Sequence, residues 1–185
     1  MKYLKLMLII FTTTVFTGGA ARAADYSNEI DVAIAGLVSG DFGAYYERNL
    51  NGYFGVGGGG GYSVRRELFA DVDEDLLENI NWSFGHVRAF GKLYPLGGFR
   101  RLYLQVEMNG TFDSFEDKDT GATASESFIW PAGLIGWRWI IAERATINLA
   151  GGSGYATEKD VRLGDTTITF GALRPRVDLN VGFLF

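Results

Sequence analysis

His86 is the single histidine of a 185-residue chain that has no cysteine, so acid–base or nucleophilic chemistry would have to be built around it. Acyl transfer or deacylation needs a hydroxyl nucleophile within hydrogen-bond reach of the imidazole. Ser83 lies three residues away, which on a strand puts it on the opposite face, and no His-x-Ser pattern occurs. His86 instead shares its parity with Arg88 and Lys92, a basic face and not a catalytic pair. The run Gly55-Val-Gly-Gly-Gly-Gly60 formally matches GxGxxG, but it lies inside a strand-like alternation with no βαβ context, so it reads as wall and not as a nucleotide site. Asp71, Asp73 and Asp75 have the spacing that opens a calcium loop, yet its sixth position is Leu76 and its twelfth Trp82, where glycine and glutamate are required. We therefore expect no enzyme, no cofactor and no resident metal.

The larger charged set is distributed along the chain. Asp31, Glu47, Arg88, Lys92, Arg101, Glu107, Arg138, Arg174, Arg176 and Asp178 each fall on the polar parity of an alternating segment. Six are basic and four acidic, so the chemistry they support is mutual pairing inside a shared interior. Positioning them requires strands with one charged and one apolar face. The segment from 101 to 113 is the clearest, with Leu102, Leu104, Val106, Met108 and Phe112 against Arg101, Tyr103, Gln105, Glu107, Asn109 and Thr111. The final segment sets Val177, Leu179, Val181, Phe183 and Phe185 against Arg176, Asp178, Asn180 and Gly182. Similar alternation predicts strands over 29 to 38, 42 to 48, 53 to 64, 81 to 94, 127 to 141 and 146 to 157, eight in all.

Lys2 and Lys5 precede an apolar run from Leu6 to Phe16, and Ala21-Arg22-Ala23 offers small residues before a cut. Residues 1 to 23 read as a signal peptide and 24 to 185 as one domain. Without Lys2, Lys5 and Arg22, 14 basic residues face 22 acidic ones, a net charge of −8 that argues against nucleic acid as a partner. No further run is long enough to cross a bilayer as a helix.

Connections sort by length. Those at 49 to 51, 95 to 100 and 142 to 144 are short, whereas 65 to 80, 114 to 126 and 158 to 167 are long. In an up-and-down barrel these two sets lie at opposite ends, as in bacterial outer-membrane barrels with short periplasmic turns and long outer loops. Three- and four-residue spacing of Leu68, Phe69, Val72, Leu76 and Ile80 predicts a short helix in the loop between strands three and four. Pro131 and Pro175 cannot donate to a sheet ladder, so they belong at the outer rim, ten residues from the ends of their strands. Phe54, Trp137 and Trp139, with Phe183 and Phe185, suit an aromatic belt at the periplasmic interface, and Phe42, Tyr62, Phe112 and Tyr155 a second one.

On these features the chain resembles the small eight-stranded outer-membrane barrels of Gram-negative bacteria, the OmpA transmembrane-domain and OmpX-like group. The resemblance implies an all-β, eight-stranded antiparallel up-and-down transmembrane barrel in the outer membrane, monomeric, surrounded by lipid and lipopolysaccharide. It also implies a terminal signal, here Phe183 and Phe185, read by the barrel assembly machinery. Eight strands leave an interior that side chains can fill, so the expected function is structural or surface interaction around a salt-bridged, closed lumen. The alternatives are passage of a small apolar solute past Phe128, Trp130 and Leu134, as in the OmpW type, and lipid A modification.

Overall fold

The computed structural model describes residues 26–34, 41–63, 79–141, 143–157, 159–163, 166–170 and 173–185. Ten strands form among them: β1 (Asn28–Ala33), β2 (Asp41–Asn49), β3 (Phe54–Ser63), β4 (Ile80–Leu93), β5 (Arg101–Asp117), β6 (Thr123–Ile141), β7 (Ala145–Tyr155), β8 (Lys159–Leu163), β9 (Thr166–Phe170) and β10 (Leu173–Leu184). Eight of them close an antiparallel barrel in the order β1-β10-β7-β6-β5-β4-β3-β2, while β8 and β9 pair as a separate hairpin. The expected fold class is what forms.

Alternation drives this closure. Val106 is 70% exposed and its neighbour Glu107 only 5%, so one residue step along β5 crosses the wall. The same inversion of ordinary burial recurs around the barrel: Ile30, Val32, Val56, Val87, Leu104, Ile129, Ile135 and Val177 are exposed while Glu29, Asp31, Glu47, Arg88, Lys92 and Arg138 are buried. An apolar exterior this extensive is unfavourable against water and suits hydrocarbon. Closure leaves no free sheet edge along the paired wall. The first and last strands meet through Glu29↔Leu184 to Ala33↔Asn180, and Asn28 and Phe185 exchange backbone hydrogen bonds of 3.0 Å in both directions.

Glycines in β3 act by absence of bulk. A Cβ at Gly59 would overlap the Ala44 carbonyl and the Tyr45 side chain, and one at Gly57 the Phe90 ring. The glycine wall therefore admits large side chains from β2 and β4 into the bore.

Several sequence expectations meet the structure differently. The helix over 65 to 80 and the Asp71, Asp73 and Asp75 cluster lie outside the described residues apart from the turn at Asn79 and the first residue of β4, Ile80; the leader at 1 to 23 lies outside them too. The segment from 114 to 126 is not a loop, because β5 and β6 continue pairing up to Glu116↔Thr123. Its acidic composition hides a second alternation, in which buried Phe115 packs on Trp82 with ring centroids 5.2 Å apart. The segment from 158 to 167 holds β8 and part of β9, and Val161 buries itself in the same apolar cluster. Pairing between β6 and β7 stops at Ala132↔Gly154, so Pro131 stands where a backbone donor on that side is no longer needed.

Candidate functional site: the charged lumen

The inward side chains stack in three tiers, described here from the end that carries the short turns. In the lowest tier Arg138 of β6 is the hub. Its Nε donates to Asn148 Oδ1 at 2.8 Å, one terminal nitrogen to the Phe99 carbonyl at 3.2 Å, and the other to Glu47 Oε2 at 2.7 Å, while an ion pair joins it to Glu29. Glu47 also accepts from Lys92 Nζ at 2.8 Å and Tyr94 Oη at 2.7 Å. Asn148 Nδ2 donates to Glu29 and, at 2.8 Å, to Asp31, and Thr146 donates to Glu29. Strands β1, β2, β6 and β7 thus meet across the bore at one guanidinium, and β4 joins them through Lys92 on Glu47. Phe99 takes a left-handed backbone, φ 55°, which presents its carbonyl to Arg138 while its ring lies 4.4 Å from the guanidinium carbon.

Glu29, Asp31 and Glu47 bring one carboxylate oxygen each within 4.8 Å of one another. This is ligand geometry for a cation, but Arg138 and Lys92 already supply positive charge there. A buried carboxylate group of this density is tolerable only when so paired.

The middle tier is balanced. Arg88 donates to Asp178 at 2.7 Å and to the Tyr45 hydroxyl at 3.2 Å, and lies 3.6 Å from Glu107. Arg176 reaches Asp178 at 3.2 Å, Glu107 at 3.4 Å and Asn109 Oδ1 at 3.2 Å. Gln105 and Asn109 donate to the two oxygens of Glu107 at 2.6 and 2.8 Å. His86 Nε2 sits 2.8 Å from the Tyr45 hydroxyl. The upper tier is aromatic: Phe84, Phe128, Trp130, Trp82 and Phe115 are buried, Trp82 Nε1 donates to Asp113 at 2.9 Å, and the Arg174 guanidinium lies 5.0 Å from the Phe128 ring and 5.5 Å from Trp130.

Of the ten charges assigned to the lumen from the sequence, the structure brings Asp31, Glu47, Lys92 and Arg138 into the lowest tier and Arg88, Glu107, Arg176 and Asp178 into the middle one. Arg174 lies in the upper tier without an ion pair among the described residues. Arg101 is corrected: it is exposed at the start of β5 with φ 65°, directly opposite Arg138, and the outward turn separates two like charges. Sequence reasoning missed Glu29, Thr146 and Asn148 as members of the network, although Glu29 shares parity with Asp31 and Asn148 is the polar neighbour between outward Ile147 and Leu149. Phe54, Phe183 and Phe185 are exposed near the short-turn end, with Trp137 and Trp139 half-buried and 6.4 Å apart on the same stretch of wall.

No family model matches this sequence, and no curated protein matches it. Solved structures do. A major outer membrane protein from Thermus thermophilus aligns at 13% identity over 86% of this chain and 98% of its own, with a TM-score of 0.52. This chain has the fold of the small outer-membrane barrels. Ail, the attachment invasion locus protein of Yersinia pestis, aligns at 14% identity over 86% of this chain and 99% of its own, TM-score 0.46. The N-terminal β-barrel domain of Pseudomonas aeruginosa OprF aligns at 13% over 86% and 98%, TM-score 0.44. At these identities the likeness concerns the barrel, and the contents of the lumen belong to this chain's own sequence. In this outer-membrane-type barrel Ser83 and His86 point to opposite sides of β4, as their parity requires.

Proposed function

We propose that the chain is an integral outer-membrane barrel whose lumen is sealed by its own charges and whose role is structural or one of surface interaction. Support comes above all from Arg138, which is 1% exposed and bonded at once to groups from three other strands and the turn before β5. In the proposed orientation the short turns face the periplasm, the aromatic residues Phe54, Trp137 and Trp139 sit at that interface, and the β5–β6 and β8–β9 hairpins stand outside. The acidic outer segments meet lipopolysaccharide through divalent ions. Phe183 and Phe185 present the assembly signal, and the mature barrel is a monomer released from the leader at residues 1 to 23. No catalytic role is assigned to His86, whose Nε2 is engaged by Tyr45.

Planar-bilayer recording tests the seal. The refolded protein should give no conductance steps, whereas Glu47→Ala/Arg138→Ala should leak; steady steps from the unmodified protein would overturn the closed-lumen reading. A second reading, lateral passage of a small apolar solute, draws on the burial of Phe128, Trp130 and Leu134 near the upper bore. Saturable uptake of such a solute into proteoliposomes, lost in Trp130→Ala, would favour it.

A further inference from the structure

The lower and middle tiers leave few atoms without a hydrogen bond, Arg88 Nε among them, whereas the upper tier gathers several donors that nothing among the described residues receives. Both terminal nitrogens of Arg174 are shielded from solvent without a hydrogen-bond partner, and so are Trp130 Nε1 and Thr111 Oγ1. Trp130 is 5% exposed and Thr111 3%, so neither group compensates through open solvent. Leaving such groups unmatched is costly, and most so for a cation.

Register and ring contacts place these groups around Phe128 and Trp130 in the same part of the bore. Thr111 pairs with Phe128, two residues from Trp130 on the same inward face of β6. Gly154 of β7 pairs with Arg174 of β10, and a Cβ at Gly154 would collide with the Trp130 benzo edge. The missing side chain lets the indole lie across β7 toward Arg174, whose guanidinium stacks over the Phe128 and Trp130 rings. Two other charges face this tier, one of them the Asp113 carboxylate, whose charge opposes an incoming anion. Asp113 accepts from Trp82, and Arg176, 5.7 Å from the Trp130 ring, is held by Asp178 and Glu107.

We propose that Arg174, Trp130 and Thr111 form an oxyanion-binding site at the outer mouth of the lumen, taking a phosphate-type group. A guanidinium offers a planar fork to two oxygens, an indole N–H is a donor only, and a threonine hydroxyl can donate to a third oxygen. The phosphate has two chemical sources, free inorganic phosphate or the headgroup of a phosphorylated lipid of the outer leaflet. The site stands whether or not the lumen conducts.

The indole N–H resonance of Trp130, assigned by its loss in Trp130→Phe, reports directly on the site. In maltoside micelles at chloride-matched ionic strength, inorganic phosphate should shift it saturably. In nanodiscs, a phosphorylated glycolipid producing the shift where inorganic phosphate does not would identify the headgroup as source. Arg174→Gln, still heat-resistant on a semi-native gel, should lose the response at least tenfold, and Thr111→Val should weaken it severalfold if Arg174→Gln fails to fold. A resonance that ignores both phosphate sources, or that shifts equally in a folded Arg174→Gln protein, would overturn the proposal.

Discussion

Single residues in the bore differ sharply from those on the loops in what their loss should cost. Glu107 receives Gln105, Asn109, Arg88 and Arg176 together, so its removal leaves Arg88 and Arg176 to share Asp178 alone and deprives two amide donors of their acceptor. Breaking a buried pair from one side costs roughly 3–5 kcal/mol, even where the intact pair adds little over apolar substitutes. Glu107→Ala should therefore unfold at clearly lower urea than the wild type, with Asp119→Ala, on the exposed turn, within about 0.5 kcal/mol of it. Semi-native electrophoresis across a urea series measures both. The same turn offers a pH test. Backbone N–H groups of Thr120 and Asp119 donate to the Asp117 carboxylate, at 3.0 and 2.8 Å, and hold its pKa below the usual value. A depressed folded-state pKa contributes order above the unfolded value and loses it as pH falls through the folded one. Amide shifts of Thr120 and Asp119 should thus be constant at neutral pH and move only below the ordinary carboxylate range; movement centred above that range would contradict the assignment.

At the scale of elements, β3 and the β5–β6 hairpin carry the clearest lessons. Gly59→Val inserts bulk against the Ala44 backbone and Tyr45, where no flexible side-chain tip alone can yield. Overpacking of this kind costs about 1–3 kcal/mol or more, and reduced refolding yield into micelles would show it; wild-type behaviour would mean that β2 relaxes freely. Above the rim, Phe115 is 1% exposed among Trp82, Phe128 and Val161. Phe115→Ala, a substitution that costs about 3–5 kcal/mol in well-packed cores, should expose the 118 to 122 turn to protease while the barrel band on the gel stays intact. This hairpin is also where reading from sequence fell short. Ser, Asp, Glu and Gly between 114 and 126 have the composition of a loop, and only Phe115, Ala124 and Phe128 at even or near-even spacing betray the strands. By contrast the 101 to 113 segment could be read residue by residue, since Val106 and Glu107 differ in hydropathy as strongly as they differ in burial.

For the whole molecule, the inverted arrangement of polar interior and apolar exterior makes a directional prediction. Val106→Arg places a charge on the outward face of β5, where a midplane position in a bilayer costs about 2–4 kcal/mol. Refolding into phosphatidylcholine vesicles under urea should reveal a loss of that size, and no loss would argue that this face does not meet lipid. Parity alone was enough to sort inside from outside, and hence to anticipate eight strands and most of the lumen charges. It could not say which charges meet, because partners such as Arg138 and Glu47 are 91 residues apart in the chain and find each other only through closure. Nor could it separate Arg101 from its apparent set, since the left-handed backbone that turns it outward has no glycine to announce it.

The seam between β1 and β10 has a kinetic consequence. Glu29 and Leu184 are nearly the full described chain apart, so this pairing carries the largest loop-closure entropy in the wall and is expected to form slowly. Glu29 and Asp31 ride on β1, and until the seam zips they have no route to Asn148 and Arg138. Neutralising the bore and shutting the cylinder are then one event. A half-made barrel would hold buried charges that lack part of their network, which makes partial insertion a poor resting place and drives the last strand home.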